Sequence, residues 1–453
     1  MCLLKDFPQD GLINHGFWIL MTTILAYVII LVVYRPLTGY YESYYEICLE
    51  GQYFKRVAAM HEQYGEFSYH AGKLKPITGP IVRVTPTEVH FNDPEVIETV
   101  YPTTGRKTDK PQWVADRTGT PYSIVSTVEH DVHRRRRNGL NSFFSVASIR
   151  RLEPIIQERI AKMMWRLEVE AAAGADVQLH RVFKACASDV ITTYGLGDSL
   201  DFLSMPDYGQ AWFASTDFFF YLTHVFAVFP WFVQLVQFAP SWLVEGSVPS
   251  LRYLRMRQEW WMEKVREIRA SPDQTKINRT IFAGILGSSL PDEEKTDIRL
   301  ASESQLVIFA GEGTVGKGLS PRIRHKPHRT SHVVSSRKPP YLNAVIQEAV
   351  RLHPGVMSRQ VRVSPEEPIT YYSKRTSEVY DVPPGTVVSM SPLITHMNPN
   401  YFEDPYTFDP ERWVRNPSLS RWFMGFARGS RNCVGYAHPS TSVDDFKEKQ
   451  PVR

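Results

Sequence analysis

At 453 residues, 43% of them apolar and 22% charged, with a net charge of +4, the chain has a globular composition and too small a charge excess to mark a nucleic-acid partner. Its four scattered cysteines, Cys2, Cys48, Cys186 and Cys433, exclude a disulfide framework, and no C-x-x-C pair suggests zinc; the main domain is expected to face a reducing compartment. The length prior of about 150 residues per domain would divide the chain in three, yet no linker divides it that way.

Phe17–Tyr34 carries no charge, is closed by Arg35, and is just long enough to cross about 30 Å of hydrocarbon as a helix. It is too long for a typical secretory signal and no small-residue cleavage site follows, so residues 1–35 read as an uncleaved anchor and 36–453 as one main domain. Lys5 is balanced by Asp6 and Asp10, whereas Arg35, Lys55 and Arg56 lie beyond the apolar run. That asymmetry predicts a cytosolic main domain.

The stretch ending H-E-Q-Y-G at Gly65 reads as helix, and PIVRVTP and EVHFNDP as two short strands about a Thr-Pro turn. Between them Glu66–Thr78 reads as an inserted surface loop. From His130, four consecutive arginines open a long amphipathic helical pattern, and by themselves they read as a solvated basic face. Helical packing continues through 177–203, with Cys186 as a core residue. Trp212–Val244 is strongly aromatic, but Asp217, His224, Pro230 and Pro240 argue against a second membrane span.

Helix-capable residues from Asp292 lead into Ala310-Gly311-Glu312-Gly313-Thr314. No acidic residue follows between Gly313 and Gln347, while cations from Lys317 to Lys338 accumulate without an apolar period; 315–339 therefore reads as a disordered insert. Pattern returns in PYLNAVIQEAVRLHPG, where Leu342, Val345, Ile346 and Ala349 make an apolar stripe and Glu348 and Arg351 share a face. Strands and turns follow. The segment FARGSRNCVG, Phe426–Gly435, surrounds Cys433 with two glycines, an arginine and a phenylalanine. A thiolate that ligates iron must be deprotonated, shielded from water and approached by N–H donors. Gly429 and Gly435 would let backbone fold closely round the sulfur. Taken alone, Cys433 is also what a free buried cysteine in a glycine-rich loop looks like. Residues 436–453, with Pro439 and few apolar side chains, predict no helix behind the sulfur.

The run F-x-x-G-x-R-x-C-x-G resembles the haem-thiolate signature of the cytochrome P-450 monooxygenases at every fixed position, and recognisable segments extend from about Gln52 to Gly435, most like the microsomal fungal secondary-metabolism type. The resemblance implies a mainly α fold with a small β subdomain, preceded by one N-terminal transmembrane helix. It implies haem b with Cys433 as axial ligand and Arg431, Phe426, Gly429 and Gly435 around it. Arg137 and His133, aligned through L-N-x-F-F-S, would meet the haem propionates together with Arg362, Arg359 being the alternate. Thr314 would relay protons to oxygen, with Glu312 nearest to the acid that the family sets just before this threonine, where Gly313 stands. Glu348 and Arg351 would form a buried cluster with Arg412 of FDPERW.

The implied reaction inserts one oxygen atom from O2 into an apolar terpenoid- or polyketide-like molecule, with electrons from an NADPH-dependent reductase. The implied place is the endoplasmic-reticulum membrane, single-pass, with the catalytic domain cytosolic and the aromatic roof at Trp212–Val244 touching lipid. Departures in 66–78, 315–339 and 436–453 leave two further readings beside this one. They are a catalytically impaired or inactive haem-binding membrane protein, and a haem-thiolate isomerase or dehydratase that needs no external electrons.

Overall fold

The computed structural model describes residues 53–63, 67–70, 73–76, 80–228, 249–270, 280–319, 339–374 and 377–436, with residues 22, 23, 26 and 27. Of the anchor read at 1–35 only those last four are described, as helix; the rest, like the tail beyond 436 and most of the insert at 315–339, lies outside the described residues. Among the described residues no helix is long and apolar enough to cross a membrane.

Helices dominate, as the resemblance implies. α1 (Tyr53–Gln63) precedes β1 (Phe67–His70) and β2 (Lys73–Pro76), which pair antiparallel. The segment read as a loop at 66–78 is thus a hairpin. Its F-S-Y-H and K-L-K-P halves pair in register from Phe67 opposite Pro76 to His70 opposite Lys73. β3 (Ile81–Thr85) and β4 (Glu88–Phe91) form the expected hairpin. α2 (Gln112–Asp116), α3 (His130–Asn141) and α4 (Val146–Ala172) follow. The long pattern from His130 is two helices, because Ser145 accepts from the Ser148 N–H and caps α4 afresh. α5 (Leu179–Leu196), α6 (Gln210–Val228), α7 (Pro249–Ala270) and α8 (Asp297–Leu319) complete the helical layer.

α8 runs past Thr314 to Leu319, into the segment read as insert, since extending a formed helix costs far less than nucleating one. It packs along α5 and α7 through Leu300, Ile308 and Phe309, which meet Tyr194, Trp261, Val265 and Phe282 in the largest core. α9 (Pro339–Leu352) has Pro339 and Pro340 in its first turn, where no N–H is needed. Then come β5 (Gln360–Val363), β6 (Ile369–Tyr372), β7 (Val379–Val382), β8 (Val387–Met390), α10 (Pro392–His396) and α11 (Glu411–Arg415). The order β3-β4-β8-β5 makes a four-stranded mixed sheet, with β4 and β8 parallel; β6 and β7 form a separate hairpin. An isolated bridge between Asp109 and Val363 lays the loop before α2 along β5.

His396 ties three of these pieces together. Its Nε2 accepts from the Met424 N–H at 2.9 Å, so the proton sits on Nδ1, which donates to the Arg351 carbonyl at 3.0 Å. Burial above all, with Arg351 beside it, pushes its pKa down to about 3. The folded chain keeps this ring neutral, whereas the unfolded chain takes up a proton below pH ~6.5. Stability is therefore lost as pH falls, from about pH 6.5 towards 3. Between pH 7 and pH 5 His396 should withdraw about 2 kcal/mol. Denaturant midpoints at the two pH values check this, and His396→Asn should show the smaller difference.

Candidate active site around Cys433

The loop that carries Cys433 is held from both sides. Gly429, at φ +75°, lies so near the Tyr101 carbonyl that a Cβ would come within 2.5 Å of its oxygen, so no other residue fits. The Ser430 N–H donates to the Pro102 carbonyl and the Cys433 N–H to that of Phe426, at 3.1 and 2.8 Å. The Phe426 ring stacks on Tyr436 with centroids 4.3 Å apart. A Cβ at Gly435 would sit at an ordinary 3.9 Å from the sulfur. The backbone of Gly435 comes to the sulfur through its N–H, whereas the close approach at Gly429 is made to the Tyr101 backbone.

Cys433 is exposed, and desolvation pushes its thiol pKa up. Backbone N–H groups of Gly435 and Tyr436 and the charge of Arg137 act in the opposite direction. Those are the donors a metal-bound thiolate requires.

Above the loop the structure gathers cations. Arg431 donates to the carbonyls of Thr108, Thr127 and Val128 at 3.0, 2.7 and 2.6 Å. Arg137 bonds the Asn432 carbonyl and, at 2.6 Å, its side-chain oxygen. Arg362 is buried and, among the described residues, donates only to the Val361 carbonyl. Lys110, bonded to the Val125 carbonyl at 2.7 Å, has its pKa lowered by burial and then by Arg362, Arg431 and Arg117. His133, buried among Arg431, Lys110, Arg137 and Arg362, is pushed down to about 2 by burial and by their charge. The carboxylate of Asp109 acts in the opposite direction on Arg431. So many enclosed cations with so little compensating charge make an anion site.

Of the two alternate arginines, Arg359 is committed to Glu88 through both carboxylate oxygens, the longer contact being 3.1 Å, which leaves Arg362 as the free fork. Lys110 was missed in the sequence because nothing in T-D-K-P marks it. The Asp109–Val363 bridge brings it in.

Glu312 and Thr314 are not brought together. Successive helical residues turn by about 100°, so positions two apart face different ways. The Glu312 carboxylate is fully buried and accepts from Ser188 and from the Trp212 indole, each at 3.2 Å. Arg257 lies 3.8 Å from it, stacked 3.7 Å from the Trp212 ring centroid. Burial raises the Glu312 pKa, with Arg257 opposing. Its position is a joint between α8 and the helices α5, α6 and α7. Thr314 is exposed and donates to the Ala310 carbonyl at 2.7 Å, with the backbone at Gly355 close by. Gly311 serves packing, since a Cβ there would meet Ile191 at 3.1 Å.

Glu348 and Arg351, both fully buried, form a bidentate pair with both bonds at 2.8 Å; Arg412 reaches Glu348 at 3.2 Å, and Trp413 and the Asp409 N–H donate at 2.9 and 3.0 Å.

The family model for cytochrome P450 matches residues 52–320 and 326–437, a span that holds Cys433 and the cations gathered near it. The chain belongs to the cytochrome P-450 family. Among relatives, the cytochrome P-450 monooxygenase tpcC of Cochliobolus heterostrophus is 30% identical over 421 residues, covering 88% of this chain and 78% of its own length. The tryptophan 6-hydroxylase fscE of Fusarium equiseti is 32% identical over 426 residues, covering 88% and 79%. The solved structure of retinoic acid bound cyanobacterial CYP120A1 shares the fold with a TM-score of 0.57 at 18% identity, over 79% of this chain and 81% of that one. This P-450 is a monooxygenase-family enzyme, and the family's haem fits the residues present. Cys433 would hold the iron, while Arg362, Arg137, Arg431, His133 and Lys110 would meet the two propionates.

Proposed function

We propose that this chain is a haem-dependent monooxygenase of fungal secondary metabolism that hydroxylates an apolar small molecule, terpenoid- or polyketide-like, with electrons from an NADPH-dependent reductase. When bound, haem under a thiolate activates O2 and delivers one oxygen atom to a C–H bond. The observation that carries the reading is the exposed Cys433 sulfur, on which the Gly435 and Tyr436 N–H groups and the charge of Arg137 act, next to a cluster of cations that outnumbers its acidic neighbour Asp109. The chain's own residues would hold the thiolate and seat the cofactor's carboxylates, and the exposed Thr314 hydroxyl, which donates to the Ala310 carbonyl, would turn from it to relay a proton. An aromatic layer of Phe219, Phe220 and Phe309 supports an apolar substrate. The name of fscE, a hydroxylase of tryptophan, supports C–H hydroxylation as the reaction type. The apolar run Phe17–Tyr34 supports a single-pass anchor in the endoplasmic reticulum with a cytosolic catalytic domain.

Reconstitution of the full chain with an NADPH-dependent cytochrome P-450 reductase tests this. Products carrying one atom of labelled oxygen, formed only when NADPH and reductase are present, are expected. Products formed without either would favour the isomerase or dehydratase reading instead.

A further inference from the structure

Four helices meet at Glu312. Arg257 comes in from α7, and its guanidinium lies between two rings, 3.7 Å from the Trp212 centroid on α6 and 4.3 Å from that of Phe309 on α8. Its Nη1 donates to the Trp212 carbonyl at 3.1 Å and to the Ser215 and Thr216 hydroxyls. Glu312 Oε2 accepts from the Ser188 hydroxyl of α5 and from the Trp212 indole. Both charged side chains are shut from solvent, Arg257 at 2% exposure and Glu312 at 0%.

The bonding stops where the two charges face each other. Arg257 Nε and Nη2 and Glu312 Oε1 are buried, and among the described residues none of these three atoms has a hydrogen-bond partner. Nη2 and Oε1 stand 3.8 Å apart, too far for a hydrogen bond. The Thr216 hydroxyl, also beside this carboxylate, gives its proton to the Trp212 carbonyl at 3.3 Å. A buried polar group without a partner is costly, more so when charged, and native interiors meet such groups with protein or with an ordered water. A water fits here, since with hydrogen bonds of about 2.8 Å to each atom it spans the 3.8 Å gap. It would accept from the guanidinium and donate to the carboxylate, and convergent polar partners of that kind hold a buried water in place.

The same joint sets the turn of α8 that leads to Thr314. Phe309 lies against the guanidinium, a Cβ at Gly311 would meet Ile191 at 3.1 Å, and Glu312 is tied to Ser188 and Trp212. Thr314 closes the turn, its hydroxyl donating to the Ala310 carbonyl at 2.7 Å. A helical turn is stiff, so what fixes one side of it places the side chain on the other.

We propose that one buried water joins Arg257 to Glu312, and that through this clasp Arg257 is a positioning residue for Thr314. The proposal deepens the monooxygenase reading and rests on it for the role of Thr314, though not for the water site.

A crystal structure of the haem-loaded full chain should show one ordered water within hydrogen-bond distance of Glu312 Oε1 and of Arg257 Nε or Nη2. A direct Arg257–Glu312 hydrogen bond, or a gap without water, would overturn the water site. Positioning is read from the C–O stretching band of carbon monoxide on the reduced haem protein, which senses the polar groups around that ligand. Arg257→Met should lower the denaturant midpoint, because it strands the Glu312 carboxylate, and adding Glu312→Gln should restore most of the loss. The double variant should nevertheless show a shifted and broadened C–O band, as Thr314→Ala should, with its Soret band still of thiolate type. Arg257→Lys, which keeps the charge without the planar fork, should fall between the wild type and the double variant. A double variant with the wild-type C–O band would overturn the positioning role. The monooxygenase reading fails separately, by a reduced carbon-monoxide band of non-thiolate type in the wild type, and the water seen in the crystal stands apart from that outcome.

Discussion

Replacing Glu348 by glutamine should cost about 3–5 kcal/mol and leave little soluble, haem-loaded protein, because Arg351 and Arg412 would keep their positive charge with no counter-ion. Glu348 and Arg351 are fully buried, Arg412 nearly so, and Glu348 accepts from both arginines, the Trp413 indole and the Asp409 N–H. Arg351 also donates to the carbonyls of His396, Pro405 and Thr407, so the cluster fastens α9 to the segment that leads into the Cys433 loop. Glutamine keeps the shape and removes the charge, which isolates electrostatics from packing. Denaturant midpoints and haem-to-protein absorbance ratios measure the effect. A variant that unfolds and loads like the parent would show that the cluster is dispensable.

Cys433→Ser should abolish thiolate ligation and with it the oxygen-transfer activity. The sulfur is the atom that the loop is built to present, and a hydroxyl stays protonated at neutral pH and donates far less charge to a metal. The position of the Soret band after reduction under carbon monoxide reports the ligand directly. The cation cluster of Arg362, Arg431, Arg137 and Lys110 is untouched by the change, so some haem should still bind. A thiolate-type band surviving in the variant would remove Cys433 from its role.

Much of this protein was legible in the chain itself, and for local reasons. The helical period of 339–352 and the spacing of Glu348 and Arg351 place both charges on one face, whatever the rest of the fold does. The alternation in PIVRVTP and EVHFNDP about a turn gives β3 and β4. The run around Cys433 is a contiguous motif, and contiguous motifs survive without knowledge of packing. Other features needed the folded molecule. That Gly429 is required by the Tyr101 backbone depends on a loop more than three hundred residues earlier being laid against the motif. Lys110 enters the cation cluster through a single bridge to β5, and Arg362 is free because Arg359 is spent on Glu88. Glu312 stands beside Thr314 in sequence, yet helical rotation turns it to Ser188, Trp212 and Arg257. Sequence spacing determines which residues share an element and a face. Which charges find a partner is decided only when distant segments are brought to within hydrogen-bond reach.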